Sequence, residues 1–200
     1  FEEDLGVHEA RSLGYEQRSD AANDEWFRFL GEATGVFFTG GNQLRLSTTI
    51  GGTRITQLIR DRNKDEELHV AGTSAGAAFL SEHMIAHGEE GLTPRADKVQ
   101  LSPGMGLTQL AIIDQHFMQR DRLGRLLSAV AYNPRLLGIG LDEDTAAFID
   151  PDDRIEVVGS GAITIVDPSE MEYTSMDSVS QHSAVTIIGV RLHVLAEGAI

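Results

Sequence analysis

The 200-residue sequence contains no cysteine. It can therefore form neither a disulfide framework nor a thiolate metal site, and it offers no thiol nucleophile. It also lacks any apolar run near the ~20 residues that a membrane-spanning helix requires. We expect a cytoplasmic protein. A secreted form stays open, because the chain starts at Phe1 rather than at methionine and a leader peptide could be missing.

Positive charge is scarce as well. The 16 Lys and Arg residues stand against 31 Asp and Glu residues, which gives a formal net charge of −15. A surface of this sign disfavours nucleic acid and anionic membranes, so we expect neither as a partner. It would attract a cationic substrate, although acidic surfaces also serve solubility alone. The length suits one domain with a substantial core, which we place at residues 1–200.

Strands and helices alternate along the first 140 residues. Apolar runs predict strands at 35–39, 68–71, 110–113 and 136–139. Amphipathic spacing predicts helices at 23–32, 53–62, 77–87 and 122–131. We expect loops with a short hairpin at 88–106, and alternating strands at 147–149, 155–158, 163–166, 184–190 and 192–195. This order predicts an α/β fold with a mainly parallel sheet, helices on both faces and C-terminal β-hairpins.

The segment Gly72-Thr73-Ser74-Ala75-Gly76-Ala77 joins a predicted strand to a predicted helix. It contains the pattern Gly-x-Ser-x-Gly, which holds a serine hydroxyl exposed on a sharp strand-to-helix turn. Side chains at the glycines would crowd the backbone or block a substrate. We predict that Ser74 is a nucleophile and that the N–H of Ala75 binds an oxyanion.

A serine nucleophile needs a base, and the base needs an orienting acid. His116 is the best base candidate because it follows an apolar strand among polar residues. The acid could be Asp142, Glu143 or Asp144, which all lie at one strand end, so the residues alone do not choose among them. The order Ser, His, acid differs from that of α/β-hydrolases, which run Ser, acid, His.

Three further groups of residues are candidates for binding an oxyanion, a substrate or a metal. The Gly40-Gly41-Asn42 segment is a candidate second oxyanion arm or an ordinary turn. Arginines 120, 122 and 125 suggest an acidic group on the substrate, although Arg120 and Arg122 cannot share a helical face, so at least one serves structure or solvent. His83 and His87 have a metal-compatible helical spacing, but no third ligand is evident, and we expect no metal.

Taken together, these motifs resemble the cyanophycinases, serine exopeptidases of the family that also contains aspartyl dipeptidase. The resemblance spans roughly residues 20–200. The motifs that carry it are Gly40-Gly41-Asn42-Gln43, Gly72 to Ala77, Asp114-Gln115-His116-Phe117 with the three arginines, and Asp142-Glu143-x-Thr145-Ala146.

The resemblance implies a three-layer α/β/α fold, a homodimer, no cofactor and no metal. It implies a triad of Ser74, His116 and Glu143, and cleavage of cyanophycin, a poly-aspartate with arginine on each β-carboxyl, to β-Asp-Arg dipeptides. Pocket positions of the family fall on Gln43, Asp114, Gln115, Arg120, Arg122 and Arg125, with Asp114 a candidate partner of a substrate guanidinium.

The family usually opens with an additional β-strand and helix that have no counterpart before residue 20. We therefore expect an N-terminally truncated domain that lacks one β-α unit. Two other functions stay open: an aspartyl dipeptidase acting on Asp-x dipeptides, and a non-catalytic binding module.

Overall fold

The computed structural model describes residues 2–65 and 68–199. Phe1, on which the expectation of an incomplete N-terminus partly depended, lies outside the described residues. Residues 2–65 are mostly helical. Their elements are α1 (Glu2–Leu5), a 3-10 turn (Arg18–Ala22), α2 (Asp24–Glu32), β1 (Gly35–Phe38), α3 (Gln43–Ile50) and α4 (Arg54–Asp65).

Strands dominate the rest of the chain. Up to residue 141 the elements are β2 (His69–Gly72), α5 (Ala75–Phe79), β3 (His83–Gly88), β4 (Val99–Pro103), β5 (Ala111–Gln115), a 3-10 turn (Met118–Arg120), α6 (Leu123–Tyr132) and β6 (Leu137–Leu141). They are followed by β7 (Thr145–Ile149), β8 (Ile155–Gly159), β9 (Ala162–Asp167), β10 (Tyr173–Thr174), β11 (Ile187–Ile188) and β12 (Arg191–Ala196).

Parallel and antiparallel pairing are both present. β1 pairs with β2 and β5 with β6 in parallel, as strand–helix alternation predicts. β9 and β12 then extend the second pair antiparallel, which gives a mixed four-stranded sheet in the order β12-β9-β6-β5. The pairs β3–β4, β7–β8 and β10–β11 are also antiparallel. The α/β class and the antiparallel C-terminal strands are confirmed.

The four-stranded sheet is covered on two faces by different elements. Gly138 and Gly140 alternate with Ile139 on β6. A Cβ on Gly138 would lie 2.8 Å from Leu126, so this face packs directly on α6. On the opposite face Ile139 packs in a cluster with Val157 of β8. The β7–β8 hairpin therefore covers this second face of the sheet.

Two predictions about local structure differ from the structure, and one helix was not predicted. The helix predicted at 77–87 ends at Phe79, and His83–Gly88 is strand β3, paired with β4. Helix α3, which begins at the N-cap Asn42, was not predicted. The strand predicted at 184–190 is reduced to the two residues of β11. Among the described residues no helix is both long and apolar enough to cross a membrane.

Candidate active site

Ser74 stands on a strained turn between β2 and α5. Its backbone has φ 51° and ψ −119°, a conformation that non-glycine residues rarely adopt. The turn requires the flanking glycines because other backbone atoms pass very close to their Cα positions. A Cβ on Gly72 would lie 2.5 Å from the carbonyl carbon of Gly76, and a Cβ on Gly76 would lie 2.1 Å from the Phe38 oxygen. No side chain fits at either glycine.

Ser74, His116 and Glu143 form a continuous hydrogen-bonded line. Ser74 Oγ is 3.0 Å from His116 Nε2, and His116 Nδ1 is 2.7 Å from Glu143 Oε1. The His116 side chain is 26% exposed and that of Glu143 is 55% exposed. A hydroxyl, an imidazole and a carboxylate in this order can move a proton away from the serine and back.

His116 follows β5 directly and has a left-handed backbone, with φ 50°. The next residue, Phe117, is buried and anchors the turn. A Cβ on Gly140 would lie 2.5 Å from the Phe117 ring, so the ring lies flat against the glycine of β6. The Phe117 N–H also donates to the carbonyl of Leu141 at 3.0 Å. The turn that carries the histidine is thus fixed to the strand that leads to the acidic residues.

The three neighbouring acids make different contacts. Asp142 accepts from the backbone N–H groups of Met118 at 3.1 Å and Ala162 at 3.2 Å. Asp144 accepts from Ser160 Oγ at 2.7 Å. Glu143 is the acid beside the imidazole. The sequence placed all three at one strand end, and only their contacts separate them.

Two backbone segments lie close to the Ser74 hydroxyl. Ala75 is the first residue of α5 and follows the serine directly. On the other side a Cβ on Gly40 would lie 3.2 Å from Ser74 Cβ, and Gly41 has φ 134°, which only glycine adopts easily. The Asn42 side chain accepts from the Arg45 N–H at 2.9 Å and caps α3. The cap uses the amide oxygen, so both the Asn42 NH₂ group and the backbone N–H groups of this segment can donate to an oxyanion.

A polar cavity of about 260 Å³ opens beside Ser74. Its lining combines the serine turn, β3, the end of β5 and the three arginines: Gly41, Asn42, Gln43, Ser74, Ala86, His87, Gly88, Gln115, Arg120, Arg122 and Arg125. The structure therefore brings most of the predicted pocket residues into one space. Gln43 Nε2 donates to the carbonyl of Ile85 at 2.9 Å, which fixes its amide at the cavity wall.

Two of the three arginines bind other side chains of the protein. Arg125 binds both carboxylate oxygens of Asp114, with Nε 2.7 Å from Oδ2, and Asp114 is buried. Arg122 Nη1 donates to the side-chain oxygen of Gln115 at 3.0 Å and to its carbonyl. Burial, followed by the neighbouring charge of Arg125, lowers the pKa of Arg122. Arg122 Nε is buried with no hydrogen-bond partner among the described residues.

Arg120 differs from the other two. It is exposed on the 3-10 turn and lines the cavity, and its guanidinium makes no hydrogen bond or ion pair within residues 2–65 and 68–199, although its backbone N–H donates to the His116 carbonyl at 3.2 Å. Of the three guanidinium groups, two form ion pairs with one carboxylate, that of Asp114, while Glu90 adds a second negative charge that acts on Arg122. The cavity carries positive charge inside an acidic protein, and a negatively charged ligand group would relieve the repulsion among the arginines.

Sequence reasoning missed four residues around the site, one of which is Gly88 in the cavity wall. His87 and Ala86 line the cavity from β3, beside a bulge between Ile85 and His87. His83 and His87 lie on a strand, so the helical spacing considered for a metal pair does not exist, and the described residues contain no group of three metal-ligating side chains. Gln119 accepts from the Glu143 N–H at 3.1 Å. Nothing in the sequence pattern separates Gln119 from an ordinary surface glutamine.

Comparison with known proteins gives two kinds of similarity. A profile of Peptidase family S51 matches residues 1–158. The cyanophycinase of Trichormus variabilis is 42% identical over 196 residues, which are 98% of this chain and 66% of that protein. The cyanophycinase of Geminocystis herdmanii is 39% identical over 195 residues, 98% of this chain and 72% of that protein. The chain thus spans just under two thirds of the Trichormus relative.

A solved structure supports the fold. A peptidase from an acI-B1 Actinobacterium superposes with a TM-score of 0.58 at 22% identity, over 88% of this chain and 66% of that one. At this identity the likeness concerns the fold alone. The profile match and the relatives near 40% identity carry the assignment: the chain belongs to Peptidase family S51.

Proposed function

We propose that the chain is a serine exopeptidase that hydrolyses cyanophycin and releases β-Asp-Arg dipeptides. The observation that carries the proposal is the hydrogen-bonded line from Ser74 Oγ through His116 to Glu143, next to a cavity lined by arginines. The names of the S51 relatives support the choice of substrate. Both the activity and the substrate belong to the proposal.

In the first half of the reaction, His116 Nε2 accepts the hydroxyl proton while Ser74 Oγ attacks the scissile carbonyl. The carbonyl oxygen becomes an oxyanion, which the N–H of Ala75 and an N–H of the Gly41–Asn42 segment stabilise. Glu143 holds the imidazole orientation and stabilises the imidazolium that forms. His116 then gives the proton to the leaving amine, and the C–N bond breaks.

In the second half, water attacks the acyl group on Ser74. His116 takes one proton from the water and returns it to Ser74 Oγ as the ester bond breaks. The products are the original enzyme and a carboxylic acid, which releases its proton to solvent and becomes a carboxylate. Each step uses only atoms of the triad, the substrate and water, so protons and bonds balance without a cofactor.

The cavity suits a substrate that carries carboxylates. Among the described residues the Arg120 guanidinium has no partner and the buried Arg122 Nε–H is unpaired, so both can bind carboxylates of the aspartyl backbone. Arg125 and Gln115 hold Asp114 and Arg122 in place, while the Gln43 amide lines the wall. Asp114 is buried under Arg125, so binding a substrate guanidinium would require that pair to open.

The direct test is incubation with insoluble cyanophycin and measurement of soluble dipeptide by mass spectrometry. We expect release of β-Asp-Arg by the wild type and none above background by Ser74→Ala. Full activity in Ser74→Ala would contradict the mechanism. Release of arginine alone, or of long fragments, would contradict the exopeptidase assignment.

The second candidate is an aspartyl dipeptidase that cleaves Asp-x dipeptides. The observation that favours it is that Arg122 and Arg125 bind Gln115 and Asp114, so that among the described residues of the cavity Arg120 offers a guanidinium without a partner for one carboxylate. An enzyme of this kind would hydrolyse an α-Asp dipeptide faster than cyanophycin. The ratio of kcat/KM on the two substrates decides between the candidates.

Covalent labelling of Ser74 distinguishes an enzyme from a non-catalytic binding module. A fluorophosphonate probe should label wild-type protein at Ser74 and leave Ser74→Ala unlabelled, whereas a binding module would not label. A homodimer, also expected from the resemblance, is tested by sedimentation equilibrium.

A further inference from the structure

Glu143 is held beside His116 although neither side chain is buried. The imidazole is 26% exposed and the carboxylate side chain 55% exposed, yet their atoms are 2.7 Å apart. Packing alone cannot maintain a short contact between two such solvent-exposed side chains, because water competes for both groups and a free glutamate samples several rotamers. The contact therefore depends on how the two backbone segments that carry these residues are joined.

Three successive hydrogen bonds join these segments. The Phe117 N–H donates to the carbonyl of Leu141 at 3.0 Å. The Met118 N–H donates to Asp142 Oδ1 at 3.1 Å. The Glu143 N–H donates to Gln119 Oε1 at 3.1 Å. Residues 117–119 thus meet residues 141–143 one by one, and the second and third bonds depend on side chains.

Asp142 also fixes this pair of segments to the sheet. Its Oδ2 accepts from the Ala162 N–H at 3.2 Å, and its own N–H donates to the Ala162 carbonyl at the same distance. A Cβ on Gly161 would lie 2.8 Å from Asp142 Cβ, so the start of β9 approaches the aspartate closely. One carboxylate therefore joins the histidine turn, the glutamate loop and β9.

We propose that Gln119 and Asp142 are positioning residues for the Glu143–His116 pair. This inference rests on the proposed function, in which Glu143 orients the imidazole. Gln119 acts on the main chain of Glu143 itself, and Asp142 on the main chain two residues after His116. Without the Gln119 amide, Glu143 loses the bond that holds its N–H, and the imidazole loses its orientation for a larger share of the time.

Gln119→Ala is the primary test because Gln119 is exposed and its loss leaves no buried cavity. We expect kcat on cyanophycin to fall roughly two- to ten-fold, the equivalent of one hydrogen bond. KM should stay unchanged, because Gln119 does not line the cavity of the arginines. Gln119→Glu keeps an acceptor at the same reach and should recover most of the loss. Gln181→Ala, at an exposed glutamine in a loop, is the matched control.

A double-mutant cycle separates positioning from a general structural effect. In a Glu143→Ala background, Gln119→Ala should have no further effect on the labelling rate: the backbone N–H that Gln119 binds is still present, but the carboxylate that this bond positions is absent. The rate of fluorophosphonate labelling at Ser74 serves as the readout, because it depends on the triad but not on the natural substrate. If cyanophycin is not hydrolysed while Ser74 labels, the substrate proposal fails and this cycle still tests the positioning role.

Three results would overturn the inference: a wild-type labelling rate in Gln119→Ala, an equal loss in both backgrounds, or a change confined to KM. If wild-type protein does not label at all, the proposed mechanism fails, and NMR of ¹⁵N-histidine protein decides instead. The His116 Nδ1–H proton should be protected from exchange with water in the wild type and less protected in Gln119→Ala. Equal protection would refute the positioning role.

For Asp142 we expect the same pattern in Asp142→Asn, whose amide keeps one acceptor and turns an NH₂ group toward a backbone N–H. Thermal unfolding monitored in parallel identifies any loss that comes from the fold. A loss of labelling rate that is present at temperatures where the variant is fully folded supports the proposal, and a wild-type rate there contradicts it.

Discussion

Asp114→Asn separates a structural role of Asp114 from a substrate-binding role. Asp114 is 1% exposed, and its two oxygens accept from Arg125, while Arg122 Nη1 lies 3.5 Å from Oδ1. The substitution keeps the volume of the side chain, removes its charge and turns an NH₂ group toward a guanidinium. Two buried arginines are then left without a counter-charge.

The magnitude follows from the burial of all three residues. Breaking a buried ion pair by removing one partner costs about 3–5 kcal/mol, because the remaining charge is desolvated and uncompensated. For a domain of this size each kcal/mol corresponds to about 2–4 °C in Tm, so the expected decrease in Tm is about 6–20 °C. The pair therefore stabilises the fold as well as the cavity wall.

The assay is thermal and urea unfolding followed by circular dichroism, together with kinetics on cyanophycin. Asp121→Asn is the control, because Asp121 is exposed, lies in the same segment and has a left-handed backbone that asparagine tolerates. An unchanged Tm in Asp114→Asn together with a large rise in KM would refute this reasoning. That outcome would assign Asp114 to a substrate guanidinium, as the sequence resemblance suggests.

Four other substitutions test separate parts of the structure. Gly76→Ala should abolish fluorophosphonate labelling and lower Tm, because its Cβ would meet the Phe38 oxygen at 2.1 Å, whereas Gly31→Ala, in open space on α2, should raise the free energy of unfolding by about 0.5–1 kcal/mol. Arg120→Ala should raise KM about ten-fold or more with a smaller effect on kcat, as expected for a lost charged hydrogen bond; an unchanged KM would remove Arg120 from the binding site. Burial raises the pKa of Tyr15 from 10.0 to about 12, so its contribution to stability is complete below pH 10 and lost as pH rises through about 12. Tyr15→Phe should remove that alkaline loss in urea titrations, and identical pH profiles would contradict the assignment.

The sequence predicts elements well where local pattern and tertiary contacts agree. The Gly-x-Ser-x-Gly turn, α6 and the strands at 35–38 and 69–72 are of this kind, since periodicity and glycine placement act within a few residues. The segment after Phe79 is different. Ala, Leu, Glu and Met favour a helix there, but pairing of His83–Gly88 with Val99–Pro103 overrides that preference.

The site is predictable only in part from the sequence. Strand ends identify the region of Ser74, His116 and the acidic loop, because the polar residues after β2, β5 and β6 meet there, although β2 pairs with β1 in a separate two-stranded sheet. The choice among three adjacent acids depends on contacts with Met118, Ala162 and Ser160, which are distant in sequence. The binding of Arg125 to Asp114 and of Arg122 to Gln115 likewise depends on tertiary packing, which the spacing of residues in the sequence does not predict.

The backbone at Ser74 and His116 has a consequence for how the protein evolves. Both residues lie at positive φ, where a side chain costs of order 1–3 kcal/mol relative to glycine. In the proposed mechanism both side chains take part in the reaction, so a chain with glycine at either position would be more stable and inactive. Selection for turnover by this mechanism would hold the molecule below its own stability optimum at these two residues. A lineage released from that selection would be expected to drift toward glycine there first, gaining robustness as it lost its chemistry.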